Sequence, residues 1–131
     1  MRIYFRYSGL GVVFIWFMGG GIGHFIQTDF FVSIVPPWVP FPLMAVYVSG
    51  VFEIFLALAI LSPKLRSLAG WGLIALTLAV TPANIHMWLN PGLFPDVTPT
   101  MLSIRLVLQV VLLFTIWWST RMEETENSLS R

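Results

Sequence analysis

Two residues of opposite charge, Glu53 and Arg105, stand inside stretches of sequence that are otherwise apolar. A charge at the centre of a bilayer costs about 2.5–3.5 kcal/mol on insertion scales and more by other measures. A chain keeps one there when it faces a partner, a wet space or a ligand. The chemistry open to this pair is narrow. Glu53 can take up and release a proton, and the guanidinium of Arg105 can hold a carbonyl oxygen or an anion. Other polar residues near the ends of apolar runs could join them: His24 in "GGGIGH", and Asn84 and His86 in "TPANIHMWLN". Gln109 lies four residues after Arg105, on the same helix face. Glu53 and His24 are therefore the acid/base candidates, and Arg105, Asn84, Gln109 and His86 the ligand-holding ones. A structural role is also open, in which Glu53 and Arg105 form a buried pair that fixes helix register.

His86 follows Asn84 by two residues, about 200° around a regular helix, so the two share a pocket only if Pro82 distorts the last turn. His24 and His86 fall at one membrane level, as axial ligands of a b-type haem would. Two histidines with doubtful facing do not make that case, and haem is set aside. Without a thiolate or a second carboxylate nearby, no metal site is expected. The chain has no cysteine, so it supplies no disulfide exchange and no iron–sulfur ligands. Redox chemistry would need a bound cofactor, a quinone for instance, or a partner.

Composition says where these residues live. Of 131 residues 57% are hydrophobic and 10% charged, with mean hydropathy +0.85. Soluble domains carry roughly 25% charged residues, so this chain cannot coat a water-facing surface and its first partner is the lipid bilayer. The net charge of +1 gives no reason to expect nucleic-acid binding.

The elements that must position the polar residues are four apolar segments, at about 7–25, 43–61, 68–88 and 100–118. Each approaches the ~20 residues that cross a bilayer core, and backbone groups in lipid must bond within their own segment. The expectation is an all-α, four-helix transmembrane domain over residues 1–120, followed by a polar tail at 121–131. Arg2, Arg6, Lys64, Arg66 and Arg121 flank the segments on one side, and the other two loops contain only Asp29 and Asp96. The positive-inside rule then puts both termini in the cytoplasm and the two longer loops outside, periplasmic in a bacterium. His24, Asn84 and His86 come at outer helix ends, Glu53 and Arg105 about 15 Å and 9 Å below them at ~1.5 Å per residue. Together they suggest a polar pocket in the outer half. The proline-rich "FFVSIVPPWVPFP" reads as a lid on the outer leaflet, Thr98–Pro99 as an N-cap and first-turn pair, and the six Trp mostly as an interface belt.

Four stretches in order, "GIGHF", "IVPPWVPFP", "VSGVFEIFLALAILSPKLRSLAGWGLIAL" and "TPANIHMWLN", resemble the DoxX-like family of small membrane proteins. The resemblance covers about residues 19–90 and rests on G-x-x-E at Gly50–Glu53, A-G-W-G at Ala69–Gly72 and P-A-N-I at Pro82–Ile85. It implies a four-helix bundle of the inner membrane, in some relatives a subunit of a sulfur-oxidising, quinone-reducing complex. It brings no catalytic residues with it, and the missing cysteines weaken any transfer of sulfur chemistry. The expected function is a subunit of a membrane oxidoreductase system that binds a quinone or another small apolar ligand, with a soluble or membrane redox partner and with homo-oligomer formation left open. A stand-alone, cofactor-free acid/base enzyme on a lipophilic substrate and a non-catalytic assembly module remain alternatives.

Overall fold

A computed structural model describes residues 2–129, with side chains from 4 to 120. Five α-helices follow one another: α1 Arg2–Ile26, α2 Thr28–Ile34, α3 Pro42–Ala59, α4 Arg66–Leu89 and α5 Pro99–Leu129, with a 3-10 turn at Pro91–Leu93 before the last. Among the described residues there is no strand. Four of the helices contain stretches long and apolar enough to cross a membrane: Tyr4–Ile26, Pro42–Ala59, Arg66–Leu89 and Pro99–Thr120. Large apolar side chains on all four face outward, Ile15 (71% exposed), Phe55 (65%), Leu78 (56%) and Val110 (66%) among them. No water-soluble protein spreads such a surface over every face. The chain is a multi-pass membrane protein of four spanning helices.

Each end of the helices has a local cause. Thr98 accepts a hydrogen bond from the Met101 backbone N–H at 3.2 Å, so the expected cap forms and Pro99 takes the first turn. The turn between α3 and α4 is closed by Arg66. Its Nε donates to the Ile60 carbonyl at 2.8 Å and its Nη2 to Leu61 at 3.4 Å, satisfying carbonyls that α3 leaves open at its C-terminus. Arg66 is therefore buried, although its place in a basic loop marked it only as a topology signal. The helix α2 was not expected. Thr28 Oγ1 bonds the His24 carbonyl at 2.8 Å, ending α1, and the chain turns at Gln27 into seven residues of helix before Pro36 and Pro37 stop it. At the other end of the chain the helix α5 continues to Leu129, beyond the expected end near 118. The side chains of Arg2 and Arg121, used above to orient the chain, lie outside those described.

In the bundle α1 packs on α3 and α5, and α4 on α5 and α3. The α1–α3 crossing is set by glycine. A Cβ on Gly21 would lie 2.9 Å from the Gly50 carbonyl oxygen, and one on Gly50 would lie 2.9 Å from His24 Cβ. Only the missing side chains let the two backbones approach this closely. The run "GGGIG" stays helical throughout, and within it Gly21 makes the close contact while Gly19 faces open space. Toward the termini the interior is filled by Val13, Phe17, Ala57, Ile60, Ala69, Leu73, Leu112 and Ile116. A second, smaller cluster of Ile34, Met87, Phe94 and Leu102 closes the opposite end. Between the two lies a cavity.

Candidate functional site

The cavity has a volume of about 650 Å³, within the range of small-molecule sites. All four spanning helices and the segment after α1 line it. One wall comes from α1 and α3. His24 Nδ1 stands 3.0 Å from the Val46 carbonyl oxygen and 3.1 Å from Ser49 Oγ. A carbonyl only accepts, so Nδ1 carries the proton and the ring tautomer is fixed. Nε2 then points at Glu53, 3.3 Å from Oε2. The approach lies off a hydrogen-bond line, and Glu53 Oε2 is a buried atom with no hydrogen-bond partner. At this range the approach suits one proton shared by the two groups, as imidazolium with carboxylate or as imidazole with carboxylic acid, since a bare lone pair facing a carboxylate would be repelled. Either way the pair is neutral as a unit. Ser49 is not among the candidates read from the sequence, and its hydroxyl is part of what orients His24.

The facing wall comes from α4 and α5. Arg105 Nη2 donates to Asn84 Oδ1 at 3.1 Å and Nη1 to the Met87 sulfur at 3.3 Å. Asn84 in turn donates to Gln109 Oε1 at 2.5 Å, Gln109 Nε2 donates to Thr81 Oγ1, and Thr81 donates to the Thr77 carbonyl at 2.8 Å. The direction is the same at every step. Each group gives a proton away from Arg105, and the chain ends on a backbone carbonyl, so it positions the guanidinium without neutralising it. Nothing about Met87 in the sequence marks it as a partner.

The roof is the proline-rich segment. Phe31 lies over the His24 ring with centroids 4.2 Å apart, and Ile34, Val35, Pro36, Trp38 and Val39 complete the cover. The expected lid is thus a short helix followed by a proline turn. Trp16 and Trp38 line the cavity while also being exposed, and Trp118 lies against Gly9. Val48 and Phe52 of α3 and Ala79 of α4 line the cavity while also being exposed. At the α3–α4 seam it therefore reaches the surface that faces lipid.

Of the residues singled out from the sequence, Glu53, His24, Arg105, Asn84 and Gln109 all line this one cavity. Two expectations are corrected. Among the described residues no ion pair joins Glu53 to Arg105; Glu53 is matched with His24, and Arg105 with an amide and a thioether. His86 is not in the cavity wall. The helix α4 runs unbroken through Pro82, so the 200° offset from Asn84 persists and carries His86 toward the loop that follows α4. There its Nδ1 lies 3.3 Å from Asn90 Nδ2 and its ring meets Phe94 edge-on. His24 and His86 thus share no site for a haem. Among the described residues no cluster of three or more His, Cys, Asp or Glu could hold a metal ion.

A family described as a domain of unknown function, DUF8561, matches residues 13–122. All five of the cavity's charged or amide-bearing side chains fall inside that range. No curated protein and no solved structure matches the chain.

Proposed function

The chain belongs to the DUF8561 family, and from its geometry we propose that it binds a small lipophilic molecule inside the membrane, tail toward the α3–α4 seam and polar head between the two polar walls. The cavity carries this reading. Apolar walls such as Trp16, Phe17, Phe52, Leu76 and Leu112 surround a few converging polar groups, the usual composition of a ligand site. A bundle that needed only stability would fill such a space. A quinone or another small apolar molecule fits the walls, and the head groups available could hydrogen-bond a carbonyl oxygen. On this reading the protein serves as a subunit of an oxidoreductase system, related to DoxX-like proteins, in the cytoplasmic membrane of a bacterium. Its termini and the Lys64–Arg66 turn are inside and the cavity is toward the periplasm.

Gentle extraction followed by solvent recovery and mass spectrometry tests the binding. One lipophile should be enriched over bulk membrane and lost from Gly20→Leu, whose side chain would grow toward Glu53 from a Cβ position 3.6 Å from Oε1. If wild type and Gly20→Leu carry the same lipids in bulk proportions, the reading fails.

A second reading has its own support, the 3.3 Å approach of His24 Nε2 to Glu53 Oε2 at the cavity wall. Such a pair can act as general acid and base on a lipophilic substrate without a cofactor. Untargeted metabolite comparison of wild type with Glu53→Gln tests it: an accumulated precursor supports catalysis, and unchanged profiles remove it.

A further inference from the structure

Arg105 is a fixed cation with no carboxylate partner among the described residues. Three titratable or charged side chains line the cavity: His24, Glu53 and Arg105. The first two lie against each other, His24 Nε2 3.3 Å from Glu53 Oε2, and with one shared proton they cancel. Asp29 and Asp96, the acidic residues of the outer loops, are exposed and do not line the cavity. One positive charge therefore remains in an apolar enclosure. A guanidinium has five N–H donors; Asn84 and Met87 take one each, the second a weak acceptor, and three are left for something else. A neutral acceptor such as a quinone carbonyl would leave the charge uncompensated at membrane depth, where compensation matters most.

We infer that the ligand of this cavity is a single-chain amphiphile with an anionic head, a fatty carboxylate or an alkyl phosphate, its head on Arg105 and its hydrocarbon chain running past Val80 and Phe52 to the α3–α4 seam. This rests on the proposed ligand-binding reading and narrows it. The arrangement suits such a molecule in three ways. The planar guanidinium forms paired hydrogen bonds to carboxylate or phosphate oxygens. The Asn84–Gln109–Thr81 chain holds it from behind, spending donors only in the direction away from Arg105. The neutral His24–Glu53 pair presents no net negative charge to repel the head. The volume of about 650 Å³ matches a small molecule rather than a two-chain lipid.

The test uses the full chain in a non-ionic detergent with radiolabelled palmitate, hexadecyl phosphate, methyl palmitate and a decyl-substituted benzoquinone. At least one anionic probe should bind saturably, at least about tenfold tighter than the methyl ester and the quinone, because hydrogen bonds to a charged group are the strong ones. Whichever of the two anions binds tighter assigns the head. Arg105→Gln should remove the preference for the acid over its ester. The acid–ester comparison on wild type stands even if that variant does not fold. Equal or tighter binding of the ester or the quinone would overturn the anionic head and leave the ligand-binding reading in place. Saturable binding of none of the four would overturn both.

Discussion

The half of the bundle nearer the termini and the half beneath the proline-rich roof are built from equally apolar helices, yet one is filled and the other is hollow. Near the termini small residues meet bulk directly. A Cβ on Gly70 of α4 would overlap the Thr120 side chain of α5, and one on Gly9 of α1 would come within 3.1 Å of Trp118. Leu73, Ile116, Val13 and Ile60 fill what is left, at 0–1% exposure. Beneath the roof the same helices present Glu53, His24, Arg105, Asn84 and Gln109 around one space, and they hold one another in place without filling it. The lesson is that hydrophobicity places these helices in lipid but does not decide where they pack. Side-chain size does that on one side, and polar partnership does it on the other.

Substitutions should expose the contrast. Leu73→Ala, in the filled half, is expected to lose about 2–5 kcal/mol, the usual cost of a large-to-small core change. Leu76→Ala, one turn away on the cavity wall, should lose less than half as much. Thermal unfolding in detergent, followed by size-exclusion recovery, compares the two, and equal losses would mean the halves are equally packed. Gly70→Ala should cost about 1–3 kcal/mol through overpacking against Thr120. Gly20→Ala, whose added Cβ would make only ordinary contact with Glu53, should be nearly neutral in the same assay.

Asn84→Asp sharpens the comparison differently. It gives Arg105 the carboxylate it lacks, and because an ionised Asp cannot donate to Gln109 Oε1 the Gln109 amide must turn over to donate to it; stability should hold within about 2 kcal/mol while binding of the tighter anionic probe falls at least about tenfold. Retained binding in that variant would show that the charge on Arg105 is not what the ligand meets. The smallest effect belongs to His86→Ala. Lying outside the cavity, it should shift stability by no more than about 0.5 kcal/mol and leave every bound lipophile unchanged. A loss of ligand in His86→Ala would put the site nearer the loop that follows α4.

Much of this was legible in the sequence. The spanning helices show in the apolar runs, because lipid leaves the backbone no other way to bond. Arg105 and Gln109 share a face by simple spacing, and Glu53 and Arg105 declare themselves because charges in such runs are rare. Partner choice was not legible. Depth along α3 and α5 suggested that Glu53 would meet Arg105, but the Gly21–Gly50 contact draws α1 against α3 and brings His24 to Glu53 first. The chain from Arg105 to Thr77 needs the α4–α5 rotation, and Met87 enters only through that packing. The helix α2 was hidden because "PPWVPFP" dominates its neighbourhood, while the seven residues before it carry no strong helical pattern. His86 was ambiguous for one reason, whether Pro82 would bend α4, and α4 passes through it.

The central claim is that a ligand-accessible hollow, with Arg105 at its wall, occupies the roofed half and that the other half is closed. The chain has no native cysteine, so a single introduced thiol can be read without background. Ala83 lines the cavity, and Ala57 is fully buried in the packed half. In the full chain in detergent, Ala83→Cys should react with N-ethylmaleimide at least about tenfold faster than Ala57→Cys, since a thiol must ionise in contact with water to react. Equal rates, or an Ala83→Cys thiol as inert as that of Ala57→Cys, would contradict the hollow and everything built on it.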